Sequence, residues 1–328
     1  MKKIILFFFL IFNSHFVNIK SNIFPDINCS SYIVMNAKTK EVLAGKNINL
    51  KRSVASISKI MTAILALESG EIFDMVTIED KDTKMEGSSI YLKLGDKISI
   101  LDLTYGLLLR SGNDAASAIS RHIEKNDNFA LKMNEKAQEL NLLNSTFNNP
   151  SGLDIDDEGN ISTSFDIAFL YSYCLDNNLF KAIVSTKNYS INNVSWKNKN
   201  KLLHRYKYCT GGKTGYTYKA KRTLVTSAKK EDFELVIVTL NCGNDFQIHE
   251  DLYEYFFNNY CYINFLEKGI NYINDKIIKS EKNIGLTIEK NKLDDNTFKI
   301  YRFDNNNNLL ECQLRKNNEI LWSRFLNE

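Results

Sequence analysis

The chain has little of what marks a metalloenzyme, a membrane span or a nucleic-acid binder. His15, His122, His204 and His249 stand apart, and none forms an HExxH or similar pattern. Cys29, Cys174, Cys209, Cys242, Cys261 and Cys312 are scattered, with no CxxC pair and no metal-type spacing. Neither a metal nor a cofactor is expected from these patterns. The formal charge is only +3, from 42 basic and 39 acidic residues, and lacks the strong basic bias of a nucleic-acid binder. There is no repeat of solenoid type, and no low-complexity tract beyond Asn305–Asn308. No apolar run approaches the roughly 20 residues that a spanning helix needs.

What is present suits an exported protein with a real core. At 328 residues the chain can form one large domain and a small one. Its 44% hydrophobic and 12% aromatic content argues against disorder. Lys2 and Lys3 precede an unbroken apolar run over residues 4–12, interrupted by Asn13, Ser14 and His15. That is a signal-peptide pattern, although no small-x-small cleavage site follows it. An even cysteine count in an exported chain permits disulfides, and a chain large enough for a core equally permits free thiols.

Periodicity predicts short strands at 32–35 and 41–43 around a turn at 36–40. Helices are expected at 56–67, 101–110, 114–124, 129–140 and 164–175. Strands follow at 208–218, 223–228 and 235–240, the last nearly all apolar, and then a helix at 246–258. Beyond about residue 265 the chain turns lysine- and asparagine-rich, with strands at 298–303, 309–315 and 319–325. The expected division is a signal peptide at 1–22, a catalytic domain at 23–265 and a small β domain at 266–328.

Three short patterns carry chemistry. Ser56-Ile57-Ser58-Lys59 opens a predicted helix, where residues three apart share a face. A serine hydroxyl needs a base to become a nucleophile, and a lysine serves once burial and positive neighbours lower its pKa. Ser111-Gly112-Asn113 breaks two helices and can project a hydroxyl and an amide. Lys213-Thr214-Gly215, after Gly211-Gly212, offers a cation for a carboxylate and a bare strand edge for an extended peptide. Each pattern is weak alone. Ser227-Ala228-Lys229-Lys230 repeats the first at a strand end, where a solvated turn is expected, and Ser190-Ile191-Asn192 repeats the second. Helix caps and glycine-rich hairpins also use these residues.

The ordered triple resembles the penicillin-recognising serine peptidases and β-lactamases, with their Ser-x-x-Lys, Ser-x-Asn and Lys-Thr-Gly motifs. The strings at 55–63, 109–116, 149–154 and 212–217 are similar to D-alanyl-D-alanine carboxypeptidases of the low-molecular-mass penicillin-binding type. The likeness runs from about residue 30 to 260. Gly211-Gly212 and the string at 223–228 resemble the sporulation-associated branch of Gram-positive bacteria. The resemblance implies an α/β (α+β) fold: an antiparallel sheet flanked by helices with a helical subdomain, plus the C-terminal β appendage.

It also implies roles. Ser56 is the nucleophile, Lys59 its base, and Ser111 the proton donor to the leaving D-alanine. Asn113 orients substrate, and Lys213 and Thr214 bind the terminal carboxylate. Gly215 leaves room for the peptide. The N–H groups of Ser56 and Tyr216 form the oxyanion hole, and Lys199 adds a basic residue near the carboxylate. The implied partners are a peptidoglycan stem peptide ending in D-Ala-D-Ala and β-lactams as covalent inhibitors. Nucleic acid is not among them, and membrane contact requires that the N-terminal segment be retained. The implied location is the outer face of the cell envelope. One departure stands out: Lys221 occupies a turn position where relatives usually carry glycine. A DD-endopeptidase would use the same machinery, and a non-catalytic penicillin sensor could retain it. A class A β-lactamase would need an extra glutamate, and no Glu-x-x-Leu-Asn string lies between the second and third motifs.

Overall fold

The computed structural model describes residues 27–124, 128–154, 159–191 and 193–326. The expected signal peptide lies outside them. The centre is a five-stranded sheet in the order Val42–Lys46, Cys29–Asn36, Phe233–Cys242, Lys221–Lys230, Cys209–Thr217. All four pairings are antiparallel. The strand Phe233–Cys242 sits in the middle and is buried along most of its length, as its apolar run requires. Cys29 and Cys242 face each other in register and form a disulfide that ties the first strand to the central one. Among the described cysteines, Cys174, Cys209, Cys261 and Cys312 are free.

The sheet is covered on both faces. One side carries the helices Lys59–Glu68, Asn113–Ile123, Phe129–Glu139 and Ser164–Cys174, whose apolar residues join Ile33, Met35, Val225, Val236 and Val238 in one core. The other side carries the helix Asp245–Asn259, which packs Leu252, Tyr253, Phe256 and Phe257 on Val34, Leu235 and Ile237. This is the expected fold class. Alternation along each strand sends odd and even residues to opposite cores.

Local structure departs from expectation at informative places. The helix expected from 56 begins as a 3-10 turn, Ala55–Ser58, and becomes α-helical only at Lys59. The helix expected over 101–110 is α-helical to Tyr105 and then widens into a π turn, Gly106–Arg110. Ser227 is not in a solvated turn: it is fully buried inside the strand Lys221–Lys230 and accepts a hydrogen bond from Thr210 at 2.8 Å. Residues three apart on a strand point to opposite faces, so Ser227 and Lys230 cannot meet. Ser190 lies in an exposed hairpin, Asn188–Ile191 with Val194–Lys197.

The C-terminal strands begin at Tyr260. Tyr260–Leu266 pairs with Ile284–Glu289, a hairpin joins Gly269–Ile273 to Lys276–Ser280, and three strands from Thr297 to Phe325 form a meander. They share a separate small core around Phe265, Leu266, Ile284, Leu309 and Leu314. Polar contacts link them to the turn after the first strand, with Asn36 donating to Thr287 at 2.9 Å and Lys38 pairing with Glu267 at 3.1 Å.

Candidate active site

The two residues that face each other in the first motif are set by the 3-10 turn. Three residues per turn stack positions i and i+3 above one another. Lys59 Nζ accordingly donates to Ser56 Oγ at 3.1 Å. The residue before the serine, Ala55, has φ of +50°. A left-handed alanine is strained, and such strain concentrates at functional sites. Here it ends the strand Arg52–Ser53 abruptly and starts the helical turn. Gly152 explains how the kink fits: a Cβ there, at φ +77°, would run into the Ala55 carbonyl.

The second and third motifs close around this pair. Lys59 Nζ also donates to Asn113 Oδ1 at 2.7 Å and to the Ser151 carbonyl. Lys213 Nζ donates to Ser111 Oγ at 2.9 Å and to the Thr214 carbonyl at 2.7 Å. Ser111 has φ of +65°, immediately after the π turn, which swings its hydroxyl away from the helix and toward Lys213. Gly215 passes directly against the start of the 3-10 turn, where an added Cβ would lie 3.1 Å from the Ser56 and Ile57 nitrogens. Tyr216 follows with its ring exposed. Lys199 stands apart from these contacts, at the rim. Its N–H donates to Leu109 O at 3.0 Å and its amine donates to Ser88 Oγ at 2.9 Å.

Burial tunes the lysines. Lys59 is 0% exposed and Lys213 2%. Burial pushes Lys59 down to about 7, with Lys199 adding to the shift and Asp114 opposing it. Burial also holds Lys213 well below its ordinary value, helped by the charges of Lys59 and Lys199. Lys199 itself is lowered by burial and by Arg110. A half-buried hydroxyl therefore sits beside an amine able to be neutral near pH 7, and a second amine waits for an anion.

Several positioning residues were not visible as motifs. Asn149 Oδ1 accepts from Ser151 N at 3.1 Å and Gly152 N at 2.7 Å, which shapes the turn that aims the Ser151 carbonyl at Lys59. Asn160 donates to Ser58 Oγ at 2.9 Å and to Asn149 O at 2.8 Å, locking that turn to the 3-10 turn. Asp114 is buried and accepts from Ile90 N and Leu92 N, holding the loop that carries Ser88. The Asn-Pro-Ser-Gly cluster was the available signal: it reads as a turn and belongs to one of the family-like strings, but neither reading gives Asn149 or the Ser151 carbonyl a role.

Comparison with known proteins shows the family. A family model described as D-alanyl-D-alanine carboxypeptidase matches residues 18–244. The chain belongs to the D-alanyl-D-alanine carboxypeptidase family. It is 35% identical over 224 residues to D-alanyl-D-alanine carboxypeptidase DacF of Bacillus subtilis, covering 65% of this chain and 57% of that protein. It thus spans little more than half the length of that relative. The solved D-alanyl-D-alanine carboxypeptidase of Mycobacterium tuberculosis H37Rv superposes with a TM-score of 0.68 at 30% identity, over 71% of this chain and 92% of that one. Penicillin binding protein 5 from Haemophilus influenzae superposes with a TM-score of 0.76 at 26% identity, over 92% of this chain and 96% of that one. The last match extends through the C-terminal strands.

Within this carboxypeptidase family member, Lys221 does not disrupt the strand behind Lys213. It takes φ of +59°, the left-handed conformation that favours glycine, and its amine lies 3.9 Å from the centre of the Tyr218 ring. The register holds from Lys221 opposite Thr217 through Val225 opposite Lys213.

Proposed function

We propose that this protein is a serine-type D-Ala-D-Ala carboxypeptidase that trims the terminal D-alanine from peptidoglycan stem peptides. Ser56 Oγ attacks the carbonyl carbon of the penultimate D-alanine as Lys59 takes its proton. The N–H groups of Ser56 and Tyr216 stabilise the oxyanion. The C–N bond then breaks, Ser111 relays to the departing amine the proton that Lys59 took, and the shortened peptide remains as an ester on Ser56. Water hydrolyses that ester and returns the proton to Ser56. Asn113 orients the substrate, Lys213 and Thr214 hold its carboxylate, and Gly215 gives the peptide room along the strand edge. Lys199 supplies positive potential at the rim. β-Lactams acylate the same hydroxyl.

The observation that supports this most is the contact of Lys59 Nζ with Ser56 Oγ at 3.1 Å, with that amine buried and lowered to about 7. The substrate places the protein at the cell envelope, outside the cytoplasm, after removal of residues 1–22. Residues 23–265 would then be the catalytic domain and 266–328 the small β domain. A Gram-positive, sporulation-type assignment rests on the local strings alone. The test is release of free D-alanine from a diacyl-L-Lys-D-Ala-D-Ala peptide, with Ser56→Ala as control. Release by the wild type alone supports the reading; no release, or equal release by both, overturns it.

A further inference from the structure

The helices that carry Lys59 and Asn113 at their first positions run away from the site side by side. Lys59–Glu68 and Asn113–Ile123 have 10 and 11 residues, so each extends about 15 Å. At their far ends Glu71, Asp74 and His122 converge. His122 Nε2 lies 3.3 Å from Glu71 Oε2 and 3.6 Å from Asp74 Oδ2, and all three ligand atoms fall within 4.8 Å of one another. We propose that Glu71, Asp74 and His122 form a site for a divalent transition ion of the zinc class, bound through one imidazole nitrogen and two carboxylate oxygens with water completing the shell.

Distances, donor chemistry and field all favour this. In a tetrahedron with metal–ligand bonds of about 2.0–2.1 Å, ligand atoms are roughly 3.3–3.4 Å apart. The two separations from His122 Nε2 are close to that edge. An imidazole with two carboxylates suits zinc better than magnesium or calcium, which prefer oxygen alone. Two carboxylates with a neutral imidazole also balance a dication. Glu71 and Asp74 follow the C-terminus of one helix and His122 lies in the last turn of the other, where both macrodipoles present negative ends to a cation.

The backbone beneath the carboxylates is fixed rather than loose. Glu71 N donates to Ser69 Oγ at 3.0 Å, and Asp74 N donates to Glu71 O at 2.9 Å. From the neighbouring helix start, Leu101 N donates to Ile72 O at 2.8 Å and Ile100 N donates to Asp74 O at 3.0 Å. His122 is in the last turn of its own helix. A bound ion would therefore clamp the far ends of the two helices whose near ends hold Lys59 and Asn113. The three ligands are too dispersed in sequence to form a motif, so only the fold reveals them.

Calorimetric titration of the metal-free protein, with its Cys29–Cys242 disulfide intact, with zinc chloride tests the proposal. One equivalent should bind, and the thermal midpoint should rise with zinc. His122→Ala and the milder Glu71→Gln should each weaken binding at least tenfold and abolish that thermal shift. A Cys209→Ser, Cys261→Ser control should bind as the wild type does. No saturable binding, or binding unchanged in the His122 and Glu71 variants, overturns the site and leaves an ion pair between imidazole and carboxylates. Loss of binding in the cysteine control overturns it equally. D-Alanine release by metal-free wild type is a separate readout, so failure here leaves the catalytic reading untouched.

Discussion

Lys59 offers the sharpest quantitative test. At its ordinary pKa of 10.5 a lysine amine is neutral in about one molecule in 3,000 at pH 7. Lowered to about 7, half the molecules carry the neutral amine, a gain of roughly 1,500-fold in usable base. Only the neutral form can take the Ser56 proton. The first-order acylation rate should therefore rise about tenfold per pH unit below 7 and level off above it. Lys59→Arg keeps the charge at every pH and should lose at least about a thousandfold. The assay is acylation by a fluorescent penicillin, followed under saturating and subsaturating conditions from about pH 5 to about pH 9. Lys213 adds a second signature. Burial holds the Lys213 amine well below its ordinary value in the free enzyme, and a bound carboxylate favours the ammonium form, so any neutral Lys213 takes up a proton as the ligand binds. The second-order constant should then fall on the alkaline side while the saturated rate stays level. A flat profile across the range, or a Lys59→Arg variant keeping more than a tenth of the rate, would refute the assignment of Lys59 as base.

Other substitutions probe the surrounding geometry. Gly215→Ala places a methyl group against Thr223 and 3.1 Å from the Ser56 nitrogen, so D-alanine release should fall at least a hundredfold while circular dichroism shows a folded protein. Lys221→Gly relieves a left-handed lysine, worth about 1 kcal/mol, but loses a cation–π contact of similar size. Stability in urea should move by less than about 1 kcal/mol, and kcat/KM should stay within about twofold. Cys29→Ser with Cys242→Ser opens a loop spanning 213 residues, for which chain entropy gives a ceiling of about 5 kcal/mol and common practice about 2–4. Urea midpoints for the variant and for reduced wild type should drop together, and coincidence of both with the oxidised protein would count against a stabilising bridge.

Much of this was legible in the sequence. The apolar run at 235–240 announced a buried strand, and the order of Ser56, Ser111 and Lys213 announced the site. The structure joins the first motif to the second through Lys59 and Asn113, and the second to the third through Lys213 and Ser111. What stayed hidden depends on backbone rather than side-chain identity. The left-handed Ala55 and Ser111 and the π turn before Ser111 have no residue signature. The Ser151 carbonyl that holds Lys59 is a main-chain atom, available at any residue. Ser227 was expected in a solvated turn at a strand end, but the strand runs on to Lys230 and buries the serine. Six cysteines allow 15 complete pairings, and only the sheet register singles out Cys29 with Cys242.

The central claim is that Ser56 is the acylated nucleophile. Mass spectrometry of a proteolytic digest after brief incubation with benzylpenicillin tests it most directly. A single adduct on the peptide containing Ser56, absent from Ser56→Ala, is the predicted result. An adduct on a peptide that lacks Ser56, or one that persists in Ser56→Ala, would contradict it.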